Sequence, residues 1–275
     1  MTLNTKIDYL FENNHQTPLL TSYNITKIFQ TKGEIQTGIK DVSLEINEDE
    51  IIAILGQSGS GKSTLLRLLA GLIEGDYGEI YYKSKEVTSP LDQTKMVFQH
   101  YALLPWLSVF DNIAFGLKAK NIHPEKIKQL VGQTIELIGL RGLEKAYPSQ
   151  LSGGMSQRVG FARALVTEPE ILLLDEAFSA LDVITANKLR SDVLNLWTKK
   201  QLNTKAIVMV THDISEAIEM ADRIIILTSN PGTIAHQISI DKTKSLTENE
   251  KNRYHKDILN ILDKVIFKNN LEAVI

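Results

Sequence analysis

The residues best suited to chemistry lie in one glycine-rich stretch, residues 56–64. Its members are Gly56, Gln57, Ser58, Gly59, Ser60, Gly61, Lys62, Ser63 and Thr64. The spacing is that of a phosphate-binding loop, whose backbone N–H groups converge on phosphate oxygens. In such a loop Lys62 reaches the β- and γ-phosphates, and the Ser63 hydroxyl ligates Mg²⁺. The stretch therefore predicts a binding site for a nucleoside triphosphate.

The segments around this loop predict the elements that must position it. Residues 51–55 form a continuous apolar run, which indicates a buried strand. Leucines at helical spacing follow in 65–72 and indicate a helix, whose N-terminal dipole favours an anion. The alternative is a glycine-rich turn that carries a lysine by chance, and the order of strand, loop and helix argues against it.

A pair of carboxylates, Asp175 and Glu176, follows a second apolar run at 171–174. Open α/β sheets place ligand sites at the carboxyl ends of their strands. Asp175 can there hold the Mg²⁺ shared with Ser63, and Glu176 can polarise an attacking water. Taken alone, the pair is equally well explained as a solvated strand end.

Length, charge and composition exclude several classes of function. With 275 residues the chain suffices for one large domain or two small ones. A net charge of −3 without a dense Lys/Arg cluster argues against nucleic-acid binding. The absence of cysteine excludes disulfides, thiol catalysis and cysteine-ligated metal. No apolar run approaches the roughly 18–20 residues of a membrane span, and the mixed, polar residues 1–15 do not have the pattern of a signal peptide.

The hydrophobic pattern predicts an α/β fold in which a parallel sheet is covered on both faces. Strand patterns at 23–29 and 42–46 precede the glycine-rich loop and predict an antiparallel layer. Further strands are predicted at 79–82, 94–98, 171–174, 206–210 and 223–227. Residues 100 to about 165 show little strand pattern, and an apolar stripe after Pro124 predicts a helix.

These patterns divide the chain into three predicted regions. Residues 1–19 form an N-terminal tail, 20–245 the nucleotide-binding domain with its helical subdomain at about 100–165, and 246–275 a C-terminal helix. Thr247 and Glu250 have the spacing of a capping box at the start of that last helix.

Six motifs together resemble the ATP-binding cassette (ABC) family. The stretch 151–157, Leu-Ser-Gly-Gly-Met-Ser-Gln, is similar to the signature motif of that family; taken by itself it is a helix start capped by Ser152. The motifs stand in family order at 56–64, Gln99, 151–157, Asp175-Glu176, 179–182 and 211–213. The resemblance covers roughly residues 20–240 and implies a P-loop NTPase with a RecA-like parallel-sheet core, an antiparallel β layer and a helical subdomain.

The resemblance also implies a role for individual residues. Phe29 stands where the family has an aromatic that stacks on adenine, with Tyr23 as a competitor and a core aromatic as the plain alternative. Gln99 is implied to ligate Mg²⁺ and to sense a membrane partner. Glu176 is implied to be the general base, and His212 to contact the γ-phosphate and organise the attacking water.

The signature residues Ser152, Gly153 and Gly154 are implied to complete the ATP site of an opposite subunit, and Asp182 to couple the two sites. The chain has one P-loop and one signature, so a productive site requires a second ATP-binding subunit, another copy or a different cassette. The Gly-Gly backbone at a helix N-terminus suits an anion such as the γ-phosphate.

Residues 98–109 are similar to cassettes of the nitrate/sulfonate/taurine importer group. That group implies an integral-membrane permease, an extracytoplasmic solute-binding protein and a peripheral location at the cytoplasmic face of the inner membrane. Leu104, Pro105 and Trp106 would form an apolar patch for the permease, with packing inside the helical subdomain as the alternative. Ala177 and His100-Tyr101 depart from the residues usual in that group.

Three other functions stay open at this point. An exporter or lipid-transport cassette would share every motif. A soluble ABC ATPase without a permease would typically carry long coiled-coil insertions or paired cassettes, and neither pattern occurs. A small-molecule kinase would not explain the signature or His212.

Overall fold

The computed structural model describes residues 17–31, 34–243 and 245–272. The chain divides into two compact units. The first contains the residues up to Leu91 together with those from Thr211 onward, and the second contains Asp92–Val210. Most of the predicted N-terminal tail lies outside the described residues.

The first unit contains the predicted antiparallel layer. It is a four-stranded sheet of β1 (Leu20–Thr31), β2 (Glu34–Ile46), β4 (Tyr77–Tyr82) and β5 (Lys85–Glu86), in the order β2-β1-β4-β5. Leu20 lies opposite both Ile46 and Tyr82, which fixes the register of the three longest strands. Strand β1 begins three residues before the predicted start, because the buried residues from Leu20 to Ser22 already pair on both sides.

The first unit also contains strands that position the glycine-rich loop. Strand β3 (Glu50–Leu55) pairs in parallel with β9 (Arg223–Leu227), and β9 pairs antiparallel with β10 (Ile234–Ser239). Helix α1 (Lys62–Leu69) follows the loop. Strand β10 was not predicted, because its short mixed sequence has little apolar character and its residues are half-buried or exposed.

The second unit is built on three parallel strands, β6 (Thr94–Phe98), β7 (Ile171–Asp175) and β8 (Ala206–Val210), with β7 in the middle. Phe98, Asp175 and Val210 stand in register at the carboxyl ends of these strands. Every residue of β7 and β8 is buried, which explains their continuous apolar sequences.

The second unit has helices where residues 100 to about 165 show little strand pattern, and a further helix after β7. They are α2 (Val109–Ala119), α3 (Pro124–Leu137), α4 (Gly153–Leu165) and α5 (Val183–Thr198). Pro124 is the first residue of α3, and Ile127, Val131 and Ile135 are buried on its inner face. These side chains form one core cluster with residues of α2 and α4.

In the first unit, helix α6 (Ile214–Met220) precedes β9, and helix α7 (Glu248–Glu272) ends the described chain. The predicted capping box is confirmed: Glu250 accepts a hydrogen bond from the Thr247 N–H at 2.8 Å, and the Thr247 hydroxyl accepts from the Glu250 N–H at 3.3 Å. Within 17–31, 34–243 and 245–272, no helix combines the length and apolarity that crossing a membrane demands.

Candidate nucleotide-binding site

The glycine-rich loop of the first unit joins the end of β3 to the start of α1. Gly59 and Gly61 adopt left-handed φ angles of 79° and 85°, which other residues rarely reach. A Cβ at Gly61 would also stand 2.7 Å from the Gly38 carbonyl oxygen. The loop therefore needs glycine at 61 for both backbone shape and space.

Lys62 folds back across this loop. Its Nζ donates hydrogen bonds to the carbonyl oxygens of Gly56 at 2.9 Å and Gln57 at 2.7 Å, and the side chain is 6% exposed. The ammonium is thus held over the loop, where a triphosphate would lie. The Ser60 hydroxyl is fully buried and has no hydrogen-bond partner in the described part of the chain. Its oxygen lies 2.6 Å from the position that a Cβ at Gly56 would take.

A second loop, Thr228–Thr233, supports the first. The Gly232 N–H donates to the Gly38 carbonyl at 3.0 Å, and the Gly232 carbonyl accepts from the Lys40 N–H at 2.9 Å. The Ser229 hydroxyl donates to Oε1 of Gln57 at 3.1 Å. A Cβ at Gly232 would overlap the carbonyl oxygen of Ser60. No prediction from the sequence connected this loop with the glycine-rich loop.

Gly232→Ala is expected to lower the affinity for ATP at least about tenfold, because the added methyl group must displace the backbone of the glycine-rich loop. The measurement is a fluorescence titration with an ATP analogue. Gly132→Ala is the matched control: Gly132 lies inside α3 with open space around its Cβ position, so affinity should stay within about twofold. An unchanged affinity in Gly232→Ala would show that the loop tolerates the displacement.

The loop carrying His212 is fastened to the strand that leads into the glycine-rich loop. The Thr211 N–H donates to the carbonyl of Ile54 in β3 at 3.2 Å, and the Thr211 hydroxyl donates to the buried Glu216 at 2.8 Å. Asp213 caps α6 by accepting from the Ser215 and Glu216 N–H groups. His212 is exposed between these two anchors. The structure therefore places His212 and Lys62 in the same unit.

The two candidate adenine-stacking aromatics differ in exposure. The ring of Phe29 is 39% exposed and packs on Gly38, where a Cβ would lie 2.7 Å from the ring. Tyr23 instead packs edge-to-face on Tyr81, with ring centroids 6.0 Å apart, and its hydroxyl is buried. Phe29 thus has an accessible ring and Tyr23 is a packed side chain of the sheet, which favours Phe29 for the predicted role.

The carboxylate pair of the second unit sits at the carboxyl end of β7. Asp175 is buried in the last position of the strand. Glu176 has a left-handed φ of 48°, which is uncommon for a residue with a side chain. Its N–H donates to the Val210 carbonyl at 3.1 Å, and its carbonyl accepts from the Ser179 hydroxyl at 2.8 Å. These bonds hold the turn that redirects the side chain from the strand axis.

Gln99 follows β6 and is half-buried. Gln157 of α4 is fully buried, and it bonds the segment that carries Gln99 to the segment that carries Glu176. Its Nε2 donates to the carbonyl oxygens of Phe98 and Ala177. The signature helix is therefore bonded to the residue before Gln99 and to the residue after Glu176.

The signature turn opens α4. Ser152 is its N-cap and accepts from the Met155 N–H at 3.3 Å, as its position predicts. Gly153 and Gly154 form the first turn, and a Cβ at Gly154 would overlap the methyl group of Thr185. Asp182 caps α5 by accepting from the Thr185 N–H at 3.0 Å, and this bond holds the pKa of Asp182 below its usual value. Thr185, which sequence patterns did not single out, therefore touches both motifs.

The three predicted Mg²⁺ ligands are the hydroxyl of Ser63 in the first unit and the side-chain oxygens of Gln99 and Asp175 in the second. Within the described ranges no group of three or more His, Cys, Asp or Glu side chains could hold a metal by itself. Mg²⁺ takes oxygen donors and usually keeps several waters and substrate phosphates as ligands. Each of these three side chains therefore offers the kind of oxygen donor that Mg²⁺ takes beside a nucleotide.

Comparison with known proteins finds relatives that match most of the chain. A family model described as ABC transporter matches residues 39–179. The nitrate import ATP-binding protein of Synechocystis is 38% identical over 85% of this chain and 86% of its own length. The aliphatic sulfonates import ATP-binding protein of Bacillus subtilis is 44% identical over 76% and 79%. A dimeric ATP-binding cassette solved in a post-hydrolysis state with ADP and Pi matches with a TM-score of 0.71 and 31% identity, over 81% of this chain and 99% of that one.

Proposed function

The chain belongs to the ABC transporter ATP-binding family, and from this we propose that it is the ATP-hydrolysing subunit of an importer for small anions. The observation that carries the proposal is the arrangement of the motifs in each unit. Lys62 is held over the glycine-rich loop with His212 on a loop bonded to β3, and Glu176 stands beside a signature helix that is bonded to both sides of the carboxylate site. The sulfonate and nitrate import proteins among its relatives support an anionic cargo such as nitrate, a sulfonate or taurine.

In this proposal the side chains act on the γ-phosphate of ATP. Lys62 leaves the carbonyls of Gly56 and Gln57 to bind the β- and γ-phosphates. Glu176 takes a proton from the attacking water as its oxygen bonds to the γ-phosphorus and the bond to the β–γ bridging oxygen breaks. His212 contacts the γ-phosphate and orients the water. Mg²⁺, bound by Ser63, Gln99 and Asp175, would neutralise charge on the phosphates.

The second half of each site would come from another copy. Ser152, Gly153 and Gly154 present backbone N–H groups at the start of α4, which suit the γ-phosphate of an ATP held by the other subunit. The dimeric cassette among the structural neighbours supports this arrangement. ATP then joins the two subunits, Asp182 couples their sites, and hydrolysis releases them.

An exposed apolar patch, Leu104–Trp106, supports the permease as a partner. Trp106 is 70% exposed and Pro105 is exposed, while Leu104 is half-buried. The segment is held from within by Asn112, which is fully buried. Its side chain accepts from the Leu104 N–H at 2.8 Å and donates to the carbonyls of Leu104, Leu107 and Ser108. A rigid apolar patch of this kind suits a cytoplasmic helix of a membrane protein. The subunit would then act peripherally, at the cytoplasmic face of the membrane.

The test is an affinity pull-down of the tagged chain from detergent-solubilised native membranes. Recovery of a polytopic permease at about two cassettes per complex is expected, since two copies complete the two sites. The solute-binding protein associated with that permease would identify the cargo. A chain recovered only from the soluble fraction would instead support an ABC ATPase without a permease.

Phe29→Ala is expected to lower the affinity for ATP about tenfold, the value of one lost stacking contact with a base. Phe29→Trp should retain it, because an aromatic face remains. Phe115→Ala is the matched control, since Phe115 is an exposed phenylalanine of the second unit. Equal affinities for the Ala and Trp variants, measured by fluorescence titration, would count against the stacking role.

A further inference from the structure

Tyr101 lies lengthwise along the first two turns of the signature helix α4. Its hydroxyl oxygen is 2.9 Å from the position that a Cβ at Gly153 would take, and its main-chain oxygen is 3.4 Å from the corresponding position at Gly160. Residues seven apart share one face of a helix, about 10 Å apart along the axis. Tyr101 therefore spans the distance between the two glycines, and its ring end reaches the signature turn.

The backbone at Tyr101 is fastened to the same helix. The guanidinium of Arg163 donates to the carbonyl oxygens of Ala102 at 2.6 Å and Tyr101 at 3.2 Å. Burial of this guanidinium lowers the pKa of Arg163. On the other side of Gln99, Gln157 donates to the carbonyl of Phe98. The segment that carries Gln99 is thus bonded to α4 at both of its ends.

The signature turn itself has no side chain to hold it at Gly153 and Gly154. The side-chain atoms nearest these two glycines are the hydroxyl end of Tyr101 at Gly153, with Leu181 farther off, and the methyl group of Thr185 at Gly154. The Tyr101 hydroxyl makes no hydrogen bond to any part of the chain that the structure describes. Its contribution at Gly153 is therefore one of contact, made by the hydroxyl oxygen and by the ring carbon Cζ behind it, 3.8 Å from the same Cβ position.

We propose that Tyr101 is a positioning residue that links Gln99 to the signature turn. The inference rests on the proposed function, in which Gln99 binds Mg²⁺ with the subunit's own ATP and the signature turn binds the ATP of the other subunit. Gln99 lies two residues before Tyr101, so the segment that carries a predicted Mg²⁺ ligand also carries the side chain that contacts Gly153.

The experiment uses the full-length chain with Glu176→Gln as the parent, into which Tyr101→Ala and Tyr101→Phe are introduced. Two quantities are measured: ATP affinity by titration of dilute monomer, and Mg-ATP-dependent dimerisation by analytical ultracentrifugation. Tyr101→Ala should weaken dimerisation at least about tenfold while ATP affinity stays within about twofold. Tyr101→Phe should keep ATP affinity and hold dimerisation within about threefold of the parent, because the ring carbon Cζ, 3.8 Å from the Cβ position of Gly153, still reaches the signature turn.

The results distinguish a failure of the positioning role of Tyr101 from a failure of the proposed function. Dimerisation of Tyr101→Ala at parental strength would overturn the positioning role. An equal loss in Tyr101→Phe would also overturn it, since the ring without its hydroxyl would then contribute nothing to the position of the turn. If thermal unfolding shows that Tyr101→Ala does not fold, Tyr101→Leu replaces it, because leucine keeps the main-chain oxygen near Gly160 and an apolar side chain that is too short to reach Gly153. A parent that stays monomeric would instead contradict the dimer of the proposed function, and this inference would fall with it.

Discussion

Glu176→Gln is expected to lower ATP turnover about a thousandfold, the usual contribution of a general base. Glutamine keeps the shape of the side chain but cannot accept the proton of the attacking water. The left-handed backbone at Glu176 is held by main-chain bonds to Val210 and by the Ser179 hydroxyl, so the substitution leaves the turn intact. ATP binding should persist, and the two-subunit complex should accumulate with Mg-ATP because it cannot be released by hydrolysis.

The measurements are phosphate release and sedimentation with saturating Mg-ATP. Glu170→Gln is the matched control: Glu170 directly precedes β7, forms an ion pair with Lys205 at 3.4 Å and lies at the opposite end of the strand from the carboxylate site. Glu170→Gln removes the same charge and should leave turnover within about twofold of the wild-type rate. Turnover by Glu176→Gln near the wild-type rate would assign the base to another residue, and a strictly monomeric variant would contradict the ATP-joined dimer.

Asn112→Ala is expected to lower the free energy of unfolding by about 3 kcal/mol, because it empties the site of a fully buried amide and removes its hydrogen bonds to the Leu104 N–H and the Leu107 carbonyl of the part-buried 104–108 segment. The segment carries Trp106, so the apolar patch should lose its fixed shape. Denaturant unfolding measures the first effect, and recovery of the permease in the pull-down measures the second.

Asn195→Ala is the matched control for this prediction. Asn195 is exposed on α5, so its loss should change the free energy of unfolding by less than about 0.5 kcal/mol. ATP affinity of Asn112→Ala should remain within about twofold, because the glycine-rich loop belongs to the other compact unit. A folded Asn112→Ala variant that recovers the permease normally would show that the patch does not depend on this side chain.

Local signals account for what the sequence predicted correctly. The glycine-rich loop, the capping box at Thr247 and the N-cap at Ser152 each depend on residues within a few positions of one another, so their chemistry is visible in the sequence order. The buried parallel strands were equally visible, since burial on both faces requires continuous apolar runs such as 171–174. The confirmed resemblance to the importer cassettes added the order of the motifs.

Contacts between distant residues account for what the sequence could not predict. Gly232 supports Ser60 across more than 170 positions, and no local pattern distinguishes it from any other turn glycine. Thr185 touches Gly154 only because α4 and α5 fold together. The left-handed φ of Glu176 likewise depends on a bond to Val210, a residue of the neighbouring strand. The roles assigned to the site residues stay predictions until the variants are measured.

Backbone groups support the glycine-rich loop, so the shape of the loop should respond little to salt and pH. Gly38, Lys40 and Gly232 hold one another through main-chain N–H and carbonyl groups, which neither titrate nor attract counterions. Screening at high ionic strength weakens attractions between exposed charges and leaves such bonds largely unaffected. The shape of the loop should therefore persist from dilute buffer to concentrated salt, and salt should weaken ATP binding mainly through the attraction between phosphate and Lys62.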